Sequence, residues 1–250
     1  MERVKDRTLK AYDYLAYYYD LLLGDEEAFN IWLKEIESEK FKTVLELASG
    51  SGVMARMLKE KGYDIIASDI SESMKDASKV NFDGEYLILN MIDFDLNKKF
   101  DLVLCICDSI NYLNEEELDS FFKSCYKHLN DNGRLIFDMH HKQRLNEFKE
   151  EYVEEGELED LQYQWTINAD QYNKTINEHF TFYTPDAMIQ EQHVQHVFDP
   201  EMIISKMKTV GFEVKYIEDF VKDEKVLLVG RKVWLVLFVR CLKKEMLCLL

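Results

Sequence analysis

An α/β fold is predicted, a mostly parallel sheet with helices on both faces and a small antiparallel β insertion, and three observations predict it. Short apolar runs alternate with segments of helical period from residue 43 to residue 139, the pattern of repeated βα units. The run Thr43-Val44-Leu45-Glu46-Leu47 passes straight into Ala48-Ser49-Gly50-Ser51-Gly52 and then into a helical segment. At Glu150 the organisation changes, and from Leu161 to Phe198 the apolar residues recur in strand-type runs.

Each element follows from its own residues. Val53 to Glu60 has helical period and stops at Gly62, Asp64 to Ser68 is a second strand, and Ser71 to Val80 is a helix with Ser71 as its N-cap. Leu87-Ile88-Leu89-Asn90-Met91 comes after a third strand, and Phe100 to Cys107 is a fourth. Asn114 and then Glu115-Glu116-Glu117 open another helix, since a capping amide and acidic residues suit its positive end. Asn132-Gly133 turns into the strand Arg134 to Met139. Glu dominates from Lys149 to Asp160, and three strands follow as an antiparallel meander: Leu161 to Ile167, Thr175 to Thr184, and Ala187 to Phe198. Asp199-Pro200 starts a helix that Gly211 ends, and the strands Glu213 to Glu218 and Lys225 to Val233 finish the sheet.

The expected organisation is therefore an N-terminal cap segment and α/β core (1–149), an inserted antiparallel lobe (150–198), completion of the core (199–233) and an apolar, basic tail (234–250). Arg240, Lys243, Lys244 and Glu245 interrupt that tail, which is also too short for a membrane span of about twenty apolar residues. A docked amphipathic element and a simple extension both fit it.

The chain of 250 residues carries a net charge of -17, which disfavours phosphate backbones and so nucleic acid as a substrate. Five cysteines, at 105, 107, 125, 241 and 248, form no CxxC pair, and Met1 to Lys10 is charged throughout, so a reduced, cytoplasmic protein without a signal peptide is expected. The expected partner is a small molecule, and pairing of two copies through the lobe is left open.

The turn after the first core strand reads as a ligand cradle. Its glycines admit close backbone approach, and the helix that follows presents free N–H groups. Asp69 lies seventeen residues after Gly52, near the spacing at which a second strand delivers a carboxylate to ribose hydroxyls, so an adenosine-containing cofactor is expected. Gly50-Ser51-Gly52-Val53-Met54-Ala55 also satisfies the dinucleotide fingerprint in its Gly/Ala form, which keeps an NAD-dependent oxidoreductase in view. Glu46 argues against a pyrophosphate and for a cationic ligand. A plain capping turn, with Glu46 bonded to nearby backbone, is the structural alternative.

On these residues the chain resembles the class I S-adenosylmethionine-dependent methyltransferases, with their Rossmann-like sheet, and within them a bacterial small-molecule-type subgroup with an inserted antiparallel lobe. The resemblance runs from about Tyr12 to about Lys232. Tyr12-Asp13-Tyr14-Leu15-Ala16-Tyr17-Tyr18-Tyr19-Asp20 is similar to a signature whose tyrosines fall on Tyr12 and Tyr19, and the resemblance implies that this segment folds over the cofactor. The same tyrosines would also serve simply to pack a helix on the sheet. Asn90, followed by Met91, stands where relatives carry the Asp that accepts from the adenine amino group, a bond that an Asn carbonyl can also make. Asp93 is a second candidate there, though a loop carboxylate is its simpler reading. Asp108-Ser109-Ile110-Asn111-Tyr112-Leu113 resembles the motif bordering the methyl-transfer site, which places Cys107, Asp108, Ser109 and Tyr112 toward cofactor or substrate. The resemblance thus implies S-adenosyl-L-methionine as cofactor, held by Tyr12, Tyr19, Glu46, Ala48, Gly50, Gly52, Asp69, Asn90, Met91, Cys107 and Asp108.

His140-His141 and His193 with His196 lack the single-face spacing of a helix-borne zinc motif, so no metal is expected. His140, His141 or His193 is a candidate general base, and Tyr112 joins His140 and His141 as a candidate catalytic residue. The expected reaction is methyl transfer to a small molecule by direct displacement. An NAD-dependent oxidoreductase and a non-catalytic S-adenosylmethionine-binding protein are the alternatives.

Overall fold

The computed structural model describes residues 5–9, 11–37, 40–158 and 161–233, so the tail from 234 onward lies outside the described residues. The N-terminal part contains the strand β1 (Lys5–Leu9), a 3-10 turn at Leu15–Tyr17, and the helices α1 (Tyr19–Leu22) and α2 (Asn30–Glu37). The core then alternates β2 (Thr43–Glu46), α3 (Val53–Glu60), β3 (Asp64–Asp69), α4 (Glu72–Ser78), β4 (Glu85–Ile88), β5 (Phe100–Cys105), α5 (Leu118–His128) and β6 (Leu129–His140). After α6 (Arg144–Glu147) come β7 (Tyr152–Leu158), β8 (Leu161–Asp170), β9 (Thr175–Tyr183) and β10 (Ala187–His196). The chain returns to the core with α7 (Pro200–Val210), β11 (Phe212–Val221) and β12 (Lys225–Lys232).

Seven strands form the main sheet in the order β11-β12-β6-β5-β2-β3-β4. The five from β6 to β4 are mutually parallel, and β12 alone runs antiparallel to both of its neighbours. Strand alternation splits the core into two layers, as a doubly covered sheet requires. Leu45, Val103, Cys105 and Phe137 pack on one face with Phe121 and Phe122 of α5 and Met207 of α7. Val44, Leu102, Leu104 and Ile136 pack on the other with Trp32 of α2 and Met54 and Leu58 of α3.

Local signals hold up well in the helices. Ser71 caps α4 by accepting from Met74 N–H (3.1 Å), and Asp199 caps α7 by accepting from Glu201 N–H (3.0 Å), with Gly211 at φ 117° closing its end. Asn114 Oδ1 accepts from Glu116 and Glu117 N–H while Glu117 Oε2 takes Asn114 N–H, a reciprocal cap that starts α5 at Leu118, after the glutamates.

The second sheet is larger than the three-stranded meander expected from sequence: its order is β1-β10-β9-β8-β7. The acidic segment forms the edge strand β7, where Glu154, Glu155 and Glu157 accept from Tyr163, Gln164 and Gln162 across the pair. Charge on an edge strand is tolerated because one side faces water, and it discourages further pairing. The other edge is β1, which pairs parallel to β10 and ties the N-terminal part to this sheet. Leu15, with Tyr14 and Tyr18, packs on Phe180, Phe182 and Ile189 of its inner face.

Candidate active site

The turn between β2 and α3 folds as a run of left-handed residues, with Ala48 at φ 51°, Gly50 at 54° and Gly52 at 79°. The two glycines serve different ends. A Cβ on Gly50 would meet nothing within 4 Å, so this side of the turn is open. One on Gly52 would come within 3.0 Å of Phe82 Cβ and 3.2 Å of Ser78 Cβ, so that position is reserved for the packing of the turn on α4.

Glu46, at the end of β2, is 2% exposed, and its Oε2 accepts from Ser49 Oγ at 2.6 Å. Burial pushes its carboxyl up to about 8, against the lowering pull of that hydrogen bond. Asp69, at the end of β3, is only 8% exposed. Its oxygens accept from Gly50 N–H (3.0 Å) and Ser71 N–H (2.9 Å), so it braces the glycine turn against the start of α4. Burial raises its pKa despite those two donors.

Beside this turn lies a cleft of about 210 Å³ lined by Glu46, Ala48, Gly50, Asp69, Met91, Cys107, Tyr12, Tyr19 and Tyr112. Gly52 supports the turn from behind. Asn90 is not in the cleft itself but in an adjoining hollow of about 200 Å³, which shares Ala48, Asp69, Met91 and Tyr112 with it. There Asn90 is exposed, and its Oδ1 accepts from Ile92 N–H at 3.0 Å.

Asp108 faces elsewhere. It lines a larger chamber of about 440 Å³ between the core and the second sheet. Cys107 and Asp108 are both left-handed (φ 59° and 58°), and their N–H groups converge on the carboxylate of Asp138 at 2.8 and 3.0 Å. Trp32 Nε1 donates to the same carboxylate at 3.0 Å. Two consecutive left-handed non-glycine residues are costly, and these donors to a fully buried carboxylate hold them there. Lys225 Nζ, from β12, bonds Asp108 and lies 3.5 Å from Asp138. Burial alone would raise Asp108, yet Lys225 and His140 hold it below the usual range; Asp138 is pushed up by burial.

The histidines part company. His140 Nε2 meets Gln195 Oε1 at 3.1 Å, its Nδ1 lies 3.5 Å from Asp108, and burial lowers its pKa. His141 does not reach the chamber: its Nδ1 accepts from Gln143 N–H at 3.2 Å and its N–H donates to Glu224. The step after β6 turns its ring away, so the placement of both histidines as catalytic candidates is corrected to His140 alone. His193 is in the chamber, with Nδ1 2.9 Å from Tyr112 Oη, which in turn lies 2.7 Å from Tyr12 Oη. Glu191 Oε2 is 3.6 Å from His193 Nε2, and its oxygens take the N–H groups of Tyr12, Tyr14 and Leu15. One lobe glutamate thus anchors the segment that carries Tyr12. His196 stacks on Phe198, away from the chamber.

Sequence reasoning passed over Asp138, Glu178, Glu191, Gln195 and Lys225. Acidic residues inside predicted strands were the available signal for the three carboxylates, the same signal that singled out Glu46.

A family model described as "Methyltransferase domain" matches residues 44–133, from β2 into β6. A Bacillus subtilis protein named "Putative methyltransferase YqeM" is 28% identical over 228 residues, covering 85% of this chain and 91% of that protein. These matches support a class I S-adenosylmethionine-dependent methyltransferase. S-adenosylmethionine is its cofactor, as the first of the two readings of the glycine turn had it. The fold of this methyltransferase is shared by a solved S-adenosylmethionine-dependent methyltransferase of Clostridium acetobutylicum (TM-score 0.74, 21% identity, 89% of this chain and 99% of that one). It is shared too by the sugar N-methyltransferase KedS8 of Streptoalloteichus (TM-score 0.74, 20% identity, 87% and 92%). Among the described residues no helix is long and apolar enough to cross a membrane.

Proposed function

We propose that the enzyme transfers a methyl group to a small-molecule acceptor by direct displacement, with the α/β core holding the donor in the cleft and the second sheet shaping the chamber for the acceptor. The observation that carries this reading is the junction of the two cavities: Tyr12, Tyr19, Cys107 and Tyr112 line both. A donor on one side and an acceptor on the other would meet there.

The cleft fits the donor. Glu46 is a buried carboxyl with a hydroxyl as its partner, so an ammonium group would complete it, and the open side of Gly50 leaves room for close approach. Asp69 retains lone pairs for ribose hydroxyls, and Asn90 with Met91 borders the end suited to adenine. Tyr12 and Tyr19 would close over the ligand, with Tyr12 positioned through Glu191. When bound, S-adenosylmethionine supplies a methyl already activated on a sulfonium. The protein therefore needs alignment and exclusion of water more than a strong nucleophile. Where the acceptor must lose a proton, the Tyr112 hydroxyl backed by His193 is placed to take part, and His140 is a second base at the Asp108 side.

An acceptor of sugar size fits the chamber and matches the class of KedS8, a sugar N-methyltransferase. Calorimetry with S-adenosylmethionine, S-adenosylhomocysteine and NAD tests the donor, and tighter binding of NAD would overturn the assignment of the cleft. A metabolite screen for S-adenosylhomocysteine formation then tests turnover. Saturable donor binding with no turnover on any compound would favour a non-catalytic binding protein.

A further inference from the structure

The lobe wall of the chamber presents a carboxyl group that methyl transfer as such does not require. Glu178 on β9 lines the chamber and stands opposite His193 in the β9–β10 register. Its Oε2 accepts from Trp165 Nε1 at 3.0 Å, and it forms no ion pair among the described residues. The chamber's less exposed charges are matched elsewhere. Asp108 and Asp138 share Lys225, and Arg144 is bound to Glu147 at 2.7 Å and lies 4.4 Å over the ring of Phe148. Asp20, Asp25 and Glu26 also line the chamber but are exposed to water, so among the described residues Glu178 is its less exposed carboxylate without an ion-pair partner.

The walls around it are aromatic. Trp165 stacks on Phe180 with centroids 5.3 Å apart, and Tyr12 and Tyr112, which line the same chamber, meet edge to face at 5.9 Å. Ring faces attract cations, and a carboxylate withdrawn from water requires a positive partner or a proton. A neutral hydroxyl acceptor would satisfy neither demand.

We infer that the acceptor is an aliphatic primary or secondary amine, taken into the chamber as its ammonium ion and held by Glu178 against these aromatic walls. The inference rests on the reading of the chamber as the acceptor site. Before transfer, one N–H proton passes from the ammonium to the Glu178 carboxylate, which leaves the nitrogen neutral with a free lone pair and the glutamate protonated. The surroundings suit that role: burial lifts Glu178 above the ordinary carboxylate range, while His193, Trp165 and Arg144 pull it back and Asp108 adds to the rise.

The test uses the full chain saturated with S-adenosylhomocysteine and two probes of similar shape, cyclohexylamine as its hydrochloride and cyclohexanol, titrated by calorimetry at neutral pH. The amine is expected to bind about tenfold or more tightly than the alcohol, the scale of one charge-assisted hydrogen bond. Glu178→Gln should abolish that preference, with S-adenosylhomocysteine binding as the check that the variant is folded. Equal binding of the two probes, absence of amine binding, or a preference that survives in Glu178→Gln would each overturn the inference. Failure of the unaltered protein to bind S-adenosylhomocysteine would instead overturn the reading of the cleft, and the inference with it.

Discussion

The cleft draws most of its lining from β2, β3 and the turns and helices that follow them, whereas the chamber is assembled from the N-terminal segment, the ends of β5, β6 and β12, and three strands of the second sheet. The first is shaped by backbone: left-handed residues, one open glycine, and a carboxylate that accepts from two N–H groups. The second is shaped by buried charge, with Lys225, Asp108 and Asp138 neutralising one another and Glu191 gripping the chain at Tyr12. A site of the first kind is sensitive to conformation at a few positions. A site of the second kind depends on partners distant in sequence, and removing one strands the others.

The sharpest way to break this comparison is Asp138→Ala. It leaves Trp32 Nε1 and the N–H groups of Cys107 and Asp108 without their acceptor and unbalances Lys225, so it should cost about 3–5 kcal/mol of stability by urea unfolding. An unchanged midpoint would show that charge does not hold the chamber together. Asp69→Ala acts on the cleft, where a smaller effect is expected: a loss of about 1–3 kcal/mol in S-adenosylhomocysteine affinity by calorimetry. Because Asp69 also braces Gly50 and Ser71, a modest drop in melting temperature should accompany it.

Glu46 sharpens the comparison through pH. Its pKa in the folded protein is raised to about 8 by burial, so the unliganded protein holds it protonated below that pH. The contribution of this group to stability is therefore complete below its ordinary range near 4.5 and is lost as pH rises through about 8. A bound ammonium favours the carboxylate, so the sign reverses for the ligand: affinity should fall as pH drops below about 8, with a proton released on binding. Calorimetry in buffers of different ionisation enthalpy measures that release, and Glu46→Gln should flatten both profiles. The smallest effect belongs to Asn90→Ala, less than about 1 kcal/mol in cofactor affinity, since the side chain is exposed and already engaged with Ile92. A loss as large as that of Asp69→Ala would make the outer hollow as important as the cleft.

Much of the α/β core was legible in the sequence because its signals are local. Helix caps at Ser71, Asn114 and Asp199, stops at Gly62 and Gly211, and buried runs such as Leu102-Val103-Leu104 each declare their element within a few residues. The glycine turn and the carboxylates at Glu46 and Asp69 were legible for the same reason, although the burial of Asp69 was not, because it depends on what α4 and the turn place around it. Tertiary structure alone decided the rest. The acidic stretch at Tyr152–Leu158 became a strand because β8 offered a partner and its glutamates found cross-strand donors. His140 and His141 are neighbours in sequence, yet only His140 enters the chamber. Glu191 and Lys225 are ordinary charged strand residues until the fold brings them to Tyr12 and Asp108. Spacing along a chain reports propensity and period, whereas the match of a buried charge to its partner is a long-range contact that no local pattern encodes.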